Sequence, residues 1–489
     1  MSKPGPIAPA LIGIGAIAGA AIAAVPVSAP LWLVALGALA GGVAAIGRRS
    51  PLAPAADPLE RFAPLLLAAF FVPCFTMAVA PGQDMSMYAG LARGVLDGVL
   101  SPAWPGIRPM MFHRGLPAVI ALASLLAGMA RASLVVAGLP YVIFWYGLAA
   151  ILGGPLQTPR PRLVAALAMF LSRMPQIMFD WGGNPFVLAT ALGLVAATVL
   201  DHALLAAFLL AAAAAIHPMG AIAGAVAVAV VAVSRRAWVP GAIAAAGLVA
   251  MLALLAAFGP RYSPGEIRKA LDWAAVQEAV PFRRLGAELG DPAAIATAIA
   301  AAVLIWRREL RPIRLAAIAI LAAGVFFQLM PKLGLYPLRF MPLLVIPAAA
   351  LWGRAAARWP VALVAAFLVA VPGHLRWFQR AIPMATPGDV DAIACVAAHV
   401  GRDDVVDGAY GDGTAWIPAL ADRKITRPQQ HISLFDEIDA ALAGQARPSW
   451  RFAGQRLRYE APIGLWYPPL ATAPAVGSPL CNSALYRIR

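Results

Sequence analysis

Arginine is placed in this chain in a way that restricts the folds open to it. Arg48-Arg49, Arg160 with Arg162, Arg235-Arg236, and the set Arg307, Arg308, Arg311 and Arg314 each fall between long apolar runs. Apolar runs of this length and number need lipid rather than a globular core. Basic residues between membrane-crossing segments mark the cytoplasmic side. Composition agrees: 61% of the 489 residues are hydrophobic, 12% are charged, and the mean hydropathy is +0.78. The net charge of +15 is then a topology signal and does not imply a nucleic-acid partner. Cys74, Cys395 and Cys481 are too few for a disulfide-dense scaffold or a Cys-rich zinc site.

The expected fold is mainly α, a polytopic membrane protein of about 12–14 helices with a small C-terminal α/β domain. Met1 to Ser28 reads as a first membrane helix rather than a signal peptide, since its basic flank is only Lys3 and a second apolar run follows at once. Ile7 to Val25 and Leu31 to Gly47 form a hairpin. Phe62 to Ala80 then runs outward and places the loop Pro81 to Arg114 outside. Leu116 to Ala130 is short for a span. Treating it as a re-entrant or surface helix of that outer loop brings Arg160 and Arg162 inside with the other arginines. Leu163 to Phe179 runs out to Asp180, and Phe186 to Leu200 returns. His217-Pro218 tips the next outer hairpin. Gly259 to Asp291 is a polar outer loop with a helix expected from Pro264 to Ala279.

From Gly373 charge rises and apolar runs shorten, so residues 1–372 are read as the membrane domain and 373–489 as an extracytoplasmic α/β domain. Thr386-Pro387-Gly388-Asp389 reads as a capped helix start, which is also the preferred reading of the DxD string Asp389-Val390-Asp391. Val405-Val406 and Leu485 to Ile488 read as strands, and Ser433 with Asp436 as a second capping box. Cys395 in the first helix and Cys481 before the terminal strand are expected to form a disulfide in an oxidising compartment. The alternative is two small buried apolar side chains.

No Walker A loop, HExxH, CxxC or GxSxG motif is present. The acids and bases of the outer loops carry the chemistry instead. Asp84 follows an apolar run and stands at the water boundary, where a carboxylate takes a proton from a hydroxyl; its alternative is a helix cap. Lys332 and Arg339 are cations suited to phosphate oxygens, or else interfacial snorkelling residues. Asp180 precedes Trp181-Gly182-Gly183-Asn184-Pro185 and either assists Asp84, binds a divalent metal, or is a turn acid. Trp104 and Trp181 stack on sugar faces or belong to the interfacial belt. His217 is read chiefly as a hydrogen-bonded helix-end histidine.

Gly82-Gln83-Asp84-Met85-Ser86-Met87-Tyr88, with Ala92 and Gly98, resembles the first outer loop of the GT-C glycosyltransferases. That superfamily includes protein mannosyltransferases, lipid A aminoarabinose transferases and mycobacterial arabinofuranosyltransferases. Arg108 to Leu116 resembles the end of the family's loop, although His113 is followed by Arg-Gly-Leu-Pro where the family has a His-Pro-Pro type string. Asp180 falls where the family has its second outer loop, and Leu335-Tyr336-Pro337-Leu338-Arg339-Phe340 resembles the string that opens a late helix. The resemblance implies an inverting transfer of sugar from a polyprenyl-phosphate donor to an envelope glycan, lipid or protein, at the outer face of a bacterial plasma membrane. It implies Asp84 and Asp180 as catalytic carboxylates, with Asp84 the general base, Lys332 and Arg339 at the donor phosphate, and Tyr88, Arg108, His113, Trp181 and Tyr336 at the substrate. A transporter or flippase, and an O-antigen-type polymerase, are the competing classes. A transporter would show internal repeats and charges inside its helices, and neither is seen.

Overall fold

The computed structural model describes residues 9–26, 29–46, 48, 50–52, 57–97, 114–181, 183–258, 289–329, 340, 343–380, 385–408, 412–426, 448–455 and 475–488. The expected helices at 264–279 and 433–442 lie outside these residues, as do Trp104, Arg108, His113, Lys332, Tyr336 and Arg339.

The chain is mainly helical with a small C-terminal mixed sheet. Helices α1 (Pro9–Ala23) and α2 (Leu31–Ala45) form the expected hairpin. Helices α3 (Ala63–Phe70), α4 (Gln83–Asp97), α5 (Gly115–Gly153), α6 (Pro161–Leu171), α7 (Arg173–Trp181), α8 (Asn184–Thr198), α9 (Ala203–Ile216), α10 (Pro218–Arg235) and α11 (Trp238–Phe258) follow. Then come α12 (Asp291–Trp306), α13 (Leu310–Leu329), α14 (Val345–Ala355) and α15 (Pro360–Arg380). Among the described residues, α5, α10 and α11 are long and apolar enough to cross a membrane, and seven shorter apolar helices accompany them. Leu126 at 93% and Leu204 and Val369 at 80% exposure are apolar side chains facing outward, as lipid-facing positions do. The protein is an integral membrane protein.

The arginines gather on one face, as their spacing predicts. Arg160 Nε donates to Asp57 at 2.6 Å and its Nη1 to the Ala357 carbonyl at 3.1 Å. Glu60 accepts from the backbone N–H groups of Arg162 and Leu163. Arg354 donates to the Leu156 carbonyl, and Arg307 donates to the Ala355 carbonyl while lying over Trp359. Arg48 reaches His202 at 3.3 Å. These contacts stitch the turns near 48–60, 154–162, 202, 307 and 354–359 together, so all of them share a side of the bundle. At Asp57 the first effect is the hydrogen bond from Leu59 N–H, which with Arg160 holds the carboxyl below its ordinary range despite desolvation.

Helix α5 takes up both Leu116 to Ala130, expected as a re-entrant or surface helix, and the apolar run after Arg131. Its backbone breaks at Gly128, whose φ of +73° is open to glycine but costly for other residues. Gly115 lies against Ala215 and Ile216, while the far end enters the arginine-rich face at residue 154. Helix α5 packs on α4.

Two expected spans are broken. Phe62 to Ala80 is not one helix: α3 stops at Phe70 and a 3-10 turn follows at Val72–Thr76. Pro73 has no N–H to donate to a continuous helix. Leu163 to Phe179 is also divided. Ser172 adopts extended φ/ψ (−82°, 142°) and its hydroxyl bonds back to the Ala168 carbonyl, so α6 ends and the separate helix α7 begins. Pro175 stands where a continuous helix would need a donor.

Helix α15 runs through Pro372 and Gly373 to Arg380. The described α/β elements begin with α16 (Pro387–His399), which carries the expected capping box: Thr386 and Asp389 each accept from the other's backbone N–H. Strands β1 (Val405–Gly408), β2 (Lys424–Ile425), β3 (Trp450–Phe452), β4 (Ala475–Leu480) and β5 (Leu485–Ile488) form one sheet in the order β2-β1-β3-β5-β4. Its β2-β1-β3 part is parallel and the rest antiparallel. Cys395 and Cys481 are joined in a disulfide with Cα atoms 5.4 Å apart, as expected. Helix α17 (Ile417–Ala421) and the 3-10 turn Gly413–Trp416 before it pack directly on α4. Trp416, fully buried, is the largest side chain of that turn.

Candidate active site

Helix α4 starts where the chain turns out of the bundle. Gly82 has φ of +100°, and its carbonyl accepts from Met85 N–H, which sets the first turn. Asp84 then falls in that first turn rather than in a loop. The free N–H groups of a helix start and its dipole favour an anion there. Tyr88 follows one turn later, so both side chains share a face. Both are half-buried.

Opposite them stands the start of α10. His217 is its N-cap: its Nδ1 accepts from Gly220 N–H at 3.3 Å, so the neutral ring carries its proton on Nε2. Its ring meets Phe186 edge-on, with centroids 5.6 Å apart. The third wall comes from the turn between α7 and α8. Met178, Gly183, Pro185 and Phe186 complete a narrow cleft with Asp84, Tyr88 and His217. Under this wall Asn184 is fully buried. Its Oδ1 accepts from the Tyr141 hydroxyl at 2.8 Å, and its Nδ2 has no hydrogen-bond partner among the described residues. The cleft thus combines a carboxylate, a phenol and an imidazole N–H with a buried amide donor just behind.

Of the residues singled out by sequence, Asp84 and Tyr88 meet in this cleft. Asp180 and Trp181 form the last turn of α7, a helix whose Met178 lines it, not the open loop expected for them. His217, expected as a hydrogen-bonded helix-end histidine, caps α10 and also lines the cleft. The signal was there: His217-Pro218 tips an outer hairpin of the same parity as the Asp84 segment. Among the described residues, no three acid, cysteine or histidine ligand atoms gather at the cleft; the one such group is Cys395, His399 and Cys481 in the sheet domain.

No protein-family model and no curated protein matches the chain. Among solved structures it is similar to the Archaeoglobus fulgidus oligosaccharyltransferase in its crystal structure with zinc and sulfate. The identity is 13%, the match covers 81% of this chain and 67% of that one, and the TM-score is 0.41. No residue role is taken from that likeness.

Proposed function

We propose that the protein is a membrane glycosyltransferase of GT-C type that moves a sugar from a polyprenyl-phosphate donor to an extracytoplasmic acceptor, with inversion. The observation that carries this reading is the convergence of Asp84, Tyr88 and His217 on one cleft that the turn between α7 and α8 completes. A lipid-phosphate donor needs no nucleotide site. It needs a base at the membrane boundary and cations for the leaving phosphate.

In this mechanism the Asp84 carboxylate takes the proton of the acceptor hydroxyl. The acceptor oxygen bonds to the anomeric carbon as the bond from that carbon to the phosphate oxygen breaks. The lipid phosphate leaves with the electron pair. Lys332 and Arg339 hold its oxygens, Arg339 as a fork of donors. His217 Nε2–H and the Tyr88 hydroxyl orient the sugar or the acceptor, and Asp180 assists Asp84 or holds a divalent metal. Arg108, His113, Trp181 and Tyr336 are assigned to substrate binding by the family resemblance. The arginine-rich face is the cytoplasmic one by the positive-inside rule, which places the cleft and the sheet domain outside.

The test is sugar transfer by the purified protein from defined polyprenyl-phosphate sugars, run beside a vesicle assay for movement of the same lipids. Transfer without movement supports the reading. Movement without transfer replaces it with a flippase.

A further inference from the structure

Cys395 and His399 are one turn apart on α16 and project from the same face of that helix. Cys481, at the turn between β4 and β5, faces them. His399 Nδ1 lies 3.5 Å from Cys395 Sγ and 4.0 Å from Cys481 Sγ. In a tetrahedral zinc site with ordinary bond lengths, nitrogen and sulfur ligands stand about 3.5 Å apart and two sulfurs about 3.8 Å. The two N–S separations are thus near those of a metal site. The sulfurs alone are too close, because they are bonded to each other.

We propose that Cys395, His399 and Cys481 form a redox-gated site for a thiophilic divalent cation of the zinc type. In the oxidised protein the disulfide occupies both sulfurs. A dithiol reductant attacks one of them, its second thiol resolves the mixed disulfide, and it leaves as a cyclic disulfide while both cysteines become thiols. The cation then displaces the two thiol protons and is held by two thiolates and Nδ1, with water in the fourth position. Nδ1 also lies 3.1 Å from the Cys395 carbonyl, so binding requires the ring proton to sit on Nε2, and His399 is exposed to water, which accepts it. Cys481 is almost fully buried and Cys395 half-buried, so the metal is sheltered on the sulfur side and open on the imidazole side. Either form ties the β4–β5 turn to α16, by a covalent bond or by a metal. This site is independent of the cleft around Asp84.

The test uses the full chain in detergent with Cys74→Ser, so that only this pair supplies thiols. The protein is reduced with a phosphine, desalted without oxygen, shown to hold two titratable thiols, and titrated with Co²⁺. The expected result is one Co²⁺ per chain, with a sulfur-to-cobalt charge-transfer band that zinc abolishes. The unreduced protein gives no such band. His399→Ala, an exposed position that leaves the fold intact, weakens Co²⁺ binding at least about 10-fold. Reduced protein with two free thiols and no charge-transfer band overturns the proposal, as does equal Co²⁺ affinity in His399→Ala.

Discussion

His374 donates its Nε2 proton to the carbonyl oxygen of Phe70 at 3.0 Å, in the interior of the helical bundle. Its Nδ1 accepts from the Gln176 side chain at 3.2 Å. The need for this arrangement comes from Pro73. In a continuous helix Phe70 would receive Cys74 N–H, but the 3-10 turn sends that N–H to Phe71 at 2.8 Å. The Phe70 carbonyl is met by the imidazole, which packs against Phe70 and Phe170 with centroids 4.4 and 4.8 Å away. One side chain thereby joins the broken helix, α15, and the helix α7 that ends in Asp180-Trp181.

Replacing His374 by Ala is expected to destabilise the protein strongly. The lost hydrogen bond alone costs about 0.5–1.5 kcal/mol, and the lost ring packing adds to it. His374→Gln, which keeps a donor, is expected to recover part of the loss. Thermal unfolding midpoints of the detergent-purified variants decide it; equal midpoints for wild type and His374→Ala contradict the role given to this contact.

Gly82→Ala tests the turn that starts α4. At φ of +100° a Cβ is strained, with a cost of about 1–3 kcal/mol. The first turn must shift to relieve it, and Asp84 shifts with it. The expected outcome is normal membrane insertion with transfer reduced at least about 10-fold, a loss that a small displacement of catalytic groups can cause. Full transfer activity in Gly82→Ala would show that the turn does not set the position of Asp84.

Asp412 gives the sheet domain a pH dependence. Burial pushes its carboxyl up to about 6, only partly offset by bonds from Thr414 and Gly454 N–H at 2.8 and 3.0 Å, and the nearby Asp389 raises it further. The folded state therefore holds this proton more tightly than the unfolded chain, whose value is 3.8. The stabilising effect is full below about pH 4 and is lost as pH rises to about 6, a change on the order of 3 kcal/mol. Unfolding midpoints of wild type and Asp412→Asn across pH 4–7 are expected to differ in slope over that window. Parallel curves would remove Asp412 as the cause.

The shared face of the arginine turns is legible in the sequence because the placing of basic residues between apolar runs is a coarse signal that survives local irregularity. The capping box at Thr386 and Asp389 and the Cys395–Cys481 pair were legible for a related reason: each rests on short-range chemistry or on compartment, not on packing detail. The broken helices were not. Apolar content reads straight through Phe62 to Ala80 and Leu163 to Phe179, while Pro73, Ser172 and Pro175 interrupt the backbone without lowering hydropathy enough to show. Those breaks turn two expected loop positions into helix ends, with Asp84 in a first turn and Asp180 in a last turn. His217 was hidden by its own sequence context. A histidine before a proline at a helix start is explained by capping, and it does cap; only the three-dimensional arrangement shows the same ring facing the cleft of Asp84.

The central claim is that Asp84 is the base. Asp84→Asn keeps the shape of the side chain and removes the proton acceptor. The direct measurement is the rate of sugar transfer from a polyprenyl-phosphate donor by Asp84→Asn, purified beside wild type and matched for its unfolding midpoint. The expected rate is lower by about two to four orders of magnitude, the usual worth of a positioned base. A folded Asp84→Asn protein that transfers sugar at the wild-type rate contradicts it.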